Sequence, residues 1–152
     1  MTIVLRLLAY VAVALVSGLG ARFVVLPLND GGAWFLGWSY VTAAVLLIPW
    51  VENTWLLIVA DVARRLIHRS LGPLLVAATL GFAVQERLLL SSTFPQSLPL
   101  WFGVRFWTFG PLALLAGAGI FLLFRHFGRP MDGYLAWILW HGLWNYYWLV
   151  LA

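Results

Sequence analysis

A chain of 152 residues with 64% apolar composition, 9% charged residues and a mean hydropathy of +0.97 lies far from the roughly 25% charge of ordinary soluble domains. Its net charge of +4 comes from nine arginines without a lysine, not gathered into a basic face with the fold signals of nucleic-acid binders, so nucleic acid is not an expected partner. No cysteine is present, which excludes disulfides, thiolate catalysis and cysteine-ligated metal.

The expected fold is all-α: a polytopic transmembrane helical bundle forming a single integral membrane domain over residues 1–152. A helix needs about 20 apolar residues to cross a bilayer. Apolar runs and breakers predict five spans, at about 3–28, 33–60, 71–91, 100–124 and 134–151. The first follows Arg6, but Arg22 and "FVVLPL" stand where a signal peptide would carry small residues, so it reads as a retained anchor. "NDGG" separates spans one and two, the charged "DVARRLIHRS" spans two and three, "STFPQSLP" spans three and four, and "GRPMDG" spans four and five. Alternation places Arg6, Arg64, Arg65, Arg69, Arg125 and Arg129 on one side and Arg22 and Arg87, with Asp30, on the other. Cytoplasmic loops are enriched in arginine and lysine, so the N terminus is expected in the cytoplasm and the C terminus outside; the expected localisation is a prokaryotic cytoplasmic (inner) membrane.

Small residues at spacing four, Ala77 with Gly81 and Ala113 with Gly117, predict close packing between spans three and four. Trp34, Trp38, Trp101 and Trp148 fall near the expected interfaces, where indoles anchor helices. Trp107, Trp137, Trp140 and Trp144 lie deeper and are expected to pack against a partner chain, lipid tails or a flat ligand.

Ionisable groups within a span cost about 2.5–3.5 kcal/mol each on insertion scales and point to function. Glu52, Glu86 and Arg105 are such groups, with His141 and Asn145 as polar company. A rise of 1.5 Å per residue, counted from the arginine-rich side, puts Glu52 at ~12 Å, His141 at ~11 Å and Asn145 at ~17 Å, with Glu86 at ~23 Å and Arg105 at a similar height to Glu86. Two polar tiers follow: Glu86 with Arg105, read as a structural ion pair, and Glu52 with His141 and with Asn53 or Asn145. His141 and Asn145, four residues apart, share one helix face. An imidazole beside a carboxylate can relay a proton, hold a metal, or satisfy both groups' hydrogen bonds.

"LGFAVQE" at 80–86 resembles the "GFA..EN" helix of the PrsW-type intramembrane proteases, and "AWILWHGLWN" at 136–145 resembles their last helix, whose "HxxxN" signature is shared with the CPBP (Abi) proteases. "IPWVENTWLL" is similar to the family's paired-glutamate segment, with Glu52 and Asn53 at the two glutamate positions. The resemblance implies acidic catalytic or metal-facing roles for Glu52 and Glu86, a catalytic or metal-binding role for His141, and a supporting role for Asn145. The sequence departs from that pattern. Asn53 replaces the second glutamate, leucine the later lysine, and Gln85-Glu86-Arg87 the Glu-Asn step, while no histidine falls in "RFWTFGPLALLAGAG". Metal-assisted hydrolysis needs about three protein ligands and a water position, and the estimated depths separate the two glutamates by roughly 11 Å.

The favoured expectation is therefore a noncatalytic subunit on a protease-like scaffold, a binder of other transmembrane segments in a membrane complex, with the lipid bilayer and other membrane proteins as partners and no required cofactor. An intramembrane metallopeptidase using Glu52, Glu86 and His141, with zinc, is the alternative. A carrier of haem or another tetrapyrrole through His141 is a further one.

Overall fold

The computed structural model describes residues 3–25, 27, 31, 37, 39–91 and 100–147, with side chains at all of these except 25, 40, 90, 91 and 100–107. Every regular element among them is helical: α1 (Ile3–Gly20), α2 (Ile48–Ile67), α3 (Leu71–Ser91), α4 (Leu100–His126) and α5 (Pro130–Tyr146). Two wide π turns, Ala21–Val25 after α1 and Ala43–Leu47 before α2, lengthen the first two rods. Among the described residues, three stretches are long and apolar enough to cross a membrane: Ile3–Val24, Ala43–Ile67 and Thr108–His126. The expected third span coincides with α3, and the expected fourth with α4 except for two further residues. The expected second starts later and ends at Ile67, so its last two turns carry Asp61, Arg64 and Arg65 as helix rather than as connector.

The sequence explains the helix ends. At the end of α4, Gly128 takes a left-handed conformation and Arg129 N–H bonds back to the Phe124 carbonyl. A left-handed residue followed by such a six-to-one bond terminates a helix, and Pro130 then starts α5 where its missing N–H costs nothing. The α2–α3 turn is built in the same way, with His68 at φ 51° in the glycine position and Arg69 N–H reaching the Arg64 carbonyl.

Helix α3 is the centre of the bundle, packing against α1, α2 and α4. Its buried residues, Leu71, Leu74, Leu75, Ala78, Thr79, Phe82 and Ala83, follow the three-and-four spacing of one broad helical face. Thr79 satisfies its hydroxyl within the helix by donating to the Leu75 carbonyl. Leu56 and Ala60 of α2, Leu114, Ala118 and Phe121 of α4 and Trp137 of α5 complete the core.

The small residues face other neighbours than expected. A Cβ at Gly81 would run into the backbone of Ala14, so α3 uses this glycine to meet α1, where Gly18 lies against the Gly81 carbonyl. A Cβ at Gly117 would collide with the indole of Trp137, so Gly117 serves the α4–α5 contact. The expected seam between spans three and four is thereby corrected: α3 and α4 do touch, but these glycines are directed to α1 and α5. Two neighbouring helices each needed a backbone gap, and spacing alone does not reveal which. Helix α1 also meets α2, where Trp55 Nε1 donates to the Ser17 carbonyl at 3.2 Å and Gly20 leaves space for the indole.

Candidate functional site

The buried residues of α2, Pro49, Glu52, Asn53, Leu56, Val59 and Ala60, form a single helical stripe, which is why two consecutive polar residues both face inward. On α5, Gly133, Trp137 and His141 repeat every four residues along the buried side. The two stripes meet at the polar positions. His141 Nδ1 lies 3.0 Å from Asn53 Oδ1, and Nε2 lies 3.4 Å from Glu52 Oε2. All three are sealed from solvent, with His141 at 2%, Glu52 at 5% and Asn53 at 0% exposure.

The chemistry of this group depends on the Asn53 amide. With Oδ1 accepting from Nδ1–H, the Nε2 lone pair faces Glu52, and the contact is attractive only when the carboxyl or the ring carries a further proton. With the amide turned over, Nδ2–H donates to Nδ1 and Nε2–H points at an ionised carboxylate. Asn53 Nδ2 has no hydrogen-bond partner among the described residues in the first orientation, and the turned amide satisfies it. The amide therefore selects the ring tautomer, and the pair can hold or pass one proton between Oε2 and Nε2.

Asn145, expected to share the polar stripe toward Glu52, does something else. Its Nδ2 donates to the Ala44 carbonyl at 2.9 Å. In the π turn, Ile48 N–H bonds the Ala43 carbonyl five residues back. The next bond of that pattern would run from residue 49 to Ala44, and proline has no N–H to make it. Asn145 supplies the missing donor from another helix. Gly142 permits the approach, because a Cβ there would collide with the Val45 carbonyl oxygen. Nearby, Thr54 Oγ1 donates to the Trp50 carbonyl at 2.6 Å and lies 2.5 Å from Tyr134 Oη, a second polar tie between α2 and α5.

Replacing Asn145 by leucine is expected to cost about 1–3 kcal/mol by stranding a buried carbonyl. In a Pro49→Ala background the restored N–H can bond that carbonyl or its neighbour, so the same replacement should cost less. Unfolding of the four proteins in detergent measures the difference, and an equal cost in both backgrounds would disconnect Asn145 from Pro49.

Glu86 forms a separate site. Its Oε2 lies 3.2 Å from Nη2 of the adjacent Arg87. The expected partner, Arg105, has its backbone in α4 while its side chain lies outside the described residues. Arg87 falls among the residues that alternation places at the second face of the membrane. It is buried, with its guanidinium lying against Gly110 of α4, which leaves the room a side chain would fill. Glycine opposite an arginine on a neighbouring helix was the signal, readable only once the two helices were paired. Among the described residues no three His, Asp or Glu side chains gather closely enough to hold a metal ion.

The deep tryptophans also differ from expectation. Trp137, expected against a partner chain, lipid or a ligand, is wholly buried by its own chain and tilted against Phe121 at 5.8 Å. Trp140 donates its N–H to the Ala113 carbonyl at 2.7 Å and keeps part of its ring exposed. Trp144 stacks on Tyr147 at 5.9 Å. Trp34, Trp38 and Trp148, and the side chains of Trp101 and Trp107, lie outside the described residues. No protein-family model, no curated protein and no solved structure matches this chain.

Proposed function

We propose that this chain is a small integral membrane protein acting as a noncatalytic subunit, a binder of other transmembrane segments within a membrane complex, on a scaffold that resembles the PrsW-type and CPBP intramembrane proteases. In this reading its five helices are five spans, the arginine-rich end and the N terminus are cytoplasmic, and the membrane is a prokaryotic inner membrane. The observation that carries the proposal is the enclosure of His141, whose two ring nitrogens face Asn53 and Glu52 within a sealed interior. A catalytic imidazole needs a nitrogen open to water or substrate, and a metal or haem ligand needs a free lone pair in a roomy first shell. Here Nδ1 is hydrogen-bonded and Nε2 faces a carboxyl at 3.4 Å, and neither opens to water. Glu86 is engaged by its neighbour Arg87.

The second reading, an intramembrane peptidase, is favoured by one observation: a carboxylate and an imidazole in contact within the apolar interior, the pairing used to move protons in hydrolysis. His141→Ala and Glu86→Ala separate the two. As a subunit, each variant loses assembly into the membrane complex, measured as native size after mild solubilisation. As a peptidase, each stops cleavage of a membrane substrate in the fraction that still assembles, and lost cleavage with assembly retained would overturn the subunit reading. Purification without chelators adds a second criterion, since stoichiometric zinc supports the peptidase and visible absorption the tetrapyrrole carrier.

A further inference from the structure

We infer that the end of the bundle formed by the α2–α3 and α4–α5 connections binds the phosphate head groups of anionic phospholipids, with Arg69 and Arg125 as the principal ligands. This rests on the membrane reading but not on whether the Glu52–His141 pair is catalytic.

The two connections share one end, because Gly72 in the first turn of α3 faces Leu122 in the last turns of α4. Five arginines lie there, Arg64, Arg65, Arg69, Arg125 and Arg129, against two carboxylates, Asp61 and Asp132. Five positive charges less two negative leave three uncompensated. The carboxylates are already committed: Asp61 accepts from Arg64 Nε and Arg65 Nε, each at 2.8 Å, and Asp132 accepts from Arg129 Nε at 2.6 Å. Among the described residues neither Arg69 nor Arg125 has an ion-pair partner. The Arg69 Nε is covered by protein, so its terminal nitrogens are the ones that would meet a phosphate. The turn that sets its stem is fixed by left-handed His68 and the Arg69 N–H to Arg64 carbonyl bond.

The surroundings favour a lipid over a soluble anion. Leu66, Phe127 and Met131 stand beside these arginines at 75%, 70% and 67% exposure. Large apolar side chains interleaved with guanidinium groups match a molecule carrying acyl chains below a phosphate. The guanidinium fork suits the phosphate oxygens, and basic pockets between transmembrane helices recognise such head groups.

The test uses the full chain in zwitterionic detergent, with lipid retention measured by native mass spectrometry after adding phosphatidylglycerol or phosphatidylcholine. Wild-type protein is expected to retain the anionic lipid preferentially. Each arginine near an anionic lipid surface contributes about fivefold in affinity, so Arg69→Gln with Arg125→Gln should weaken retention by about 25-fold, and Arg22→Gln, on the π turn after α1, should leave it unchanged. Should the double variant lose helical circular dichroism, Arg125→Gln alone, at the exposed end of α4, should still show about a fivefold loss. Equal retention of the two lipids, an equal loss with Arg22→Gln, or displacement by inorganic phosphate at matched concentration would overturn the inference.

Discussion

Replacing His141 by leucine is expected to destabilise the protein by about 3–5 kcal/mol, the usual consequence of removing one member of a buried charged or strongly polar pair. The change strips the Asn53 amide of its partner at 3.0 Å and takes the imidazole from the Glu52 carboxyl at 3.4 Å. Neither group can turn to water, because both are sealed within the interior. Replacing Glu52 and His141 together by leucine should cost less than the two single changes added, by about 1–3 kcal/mol, as for residues in one network. The reason is that removing both members of a buried polar pair spares the desolvation penalty of the survivor. Thermal unfolding of the wild type, both single variants and the double variant in one detergent closes the cycle. Strict additivity would mean that the imidazole and carboxyl do not act on one another.

Valine at Gly81 should be at least as damaging, for a reason with no electrostatics in it. The added Cβ would lie 2.5 Å from the Ala14 carbonyl carbon and 2.6 Å from its Cα. Backbone on a packed helix cannot yield as a flexible side chain does, so α1 must move away from α3. Overpacking of this kind costs about 3 kcal/mol or more, and α1 also loses the Trp55 to Ser17 hydrogen bond that ties it to α2. Gly119 supplies the control. Nothing lies within 4 Å of a Cβ built there, so alanine at that α4 position should stabilise by roughly 0.5–1 kcal/mol through reduced backbone freedom. A disulfide engineered between α1 and α3 reports the first effect, forming readily in the wild type and poorly with valine at 81. If both glycine variants unfold alike, close backbone approach is not what Gly81 provides.

Sequence reasoning reached the Glu52 and His141 contact because it needs only a regular rise per residue and a polar group's aversion to hydrocarbon. It left Asn53 and Asn145 as alternative members of that tier, and the structure brings Asn53 to the imidazole. It missed the role of Asn145, since counting along the helix assumes every N–H is present, whereas the decisive fact is the donor that Pro49 lacks. The assignment of Gly81 and Gly117 to a common seam failed because small residues announce a close neighbour without naming it. Trp137 shows the same ambiguity: an indole deep in a helix can be covered by lipid, by another chain or by its own, and Gly117 on a second helix decides. Alternation assigned Arg87 only to a side of the membrane, and the space opposite it at Gly110 shows that its side chain turns inward.

The wide turn at Ala43–Leu47 has a bearing on how this chain should be aligned with any other. A π turn accommodates one extra residue in a helical rod, and each residue advances the side-chain direction by about 100°. Val41 and Thr42 are therefore out of phase with the positions after 47, and a pattern scored across the junction as one uninterrupted periodicity will mistake inward positions for outward ones. Splitting the comparison at the turn, before Ile48, removes that error.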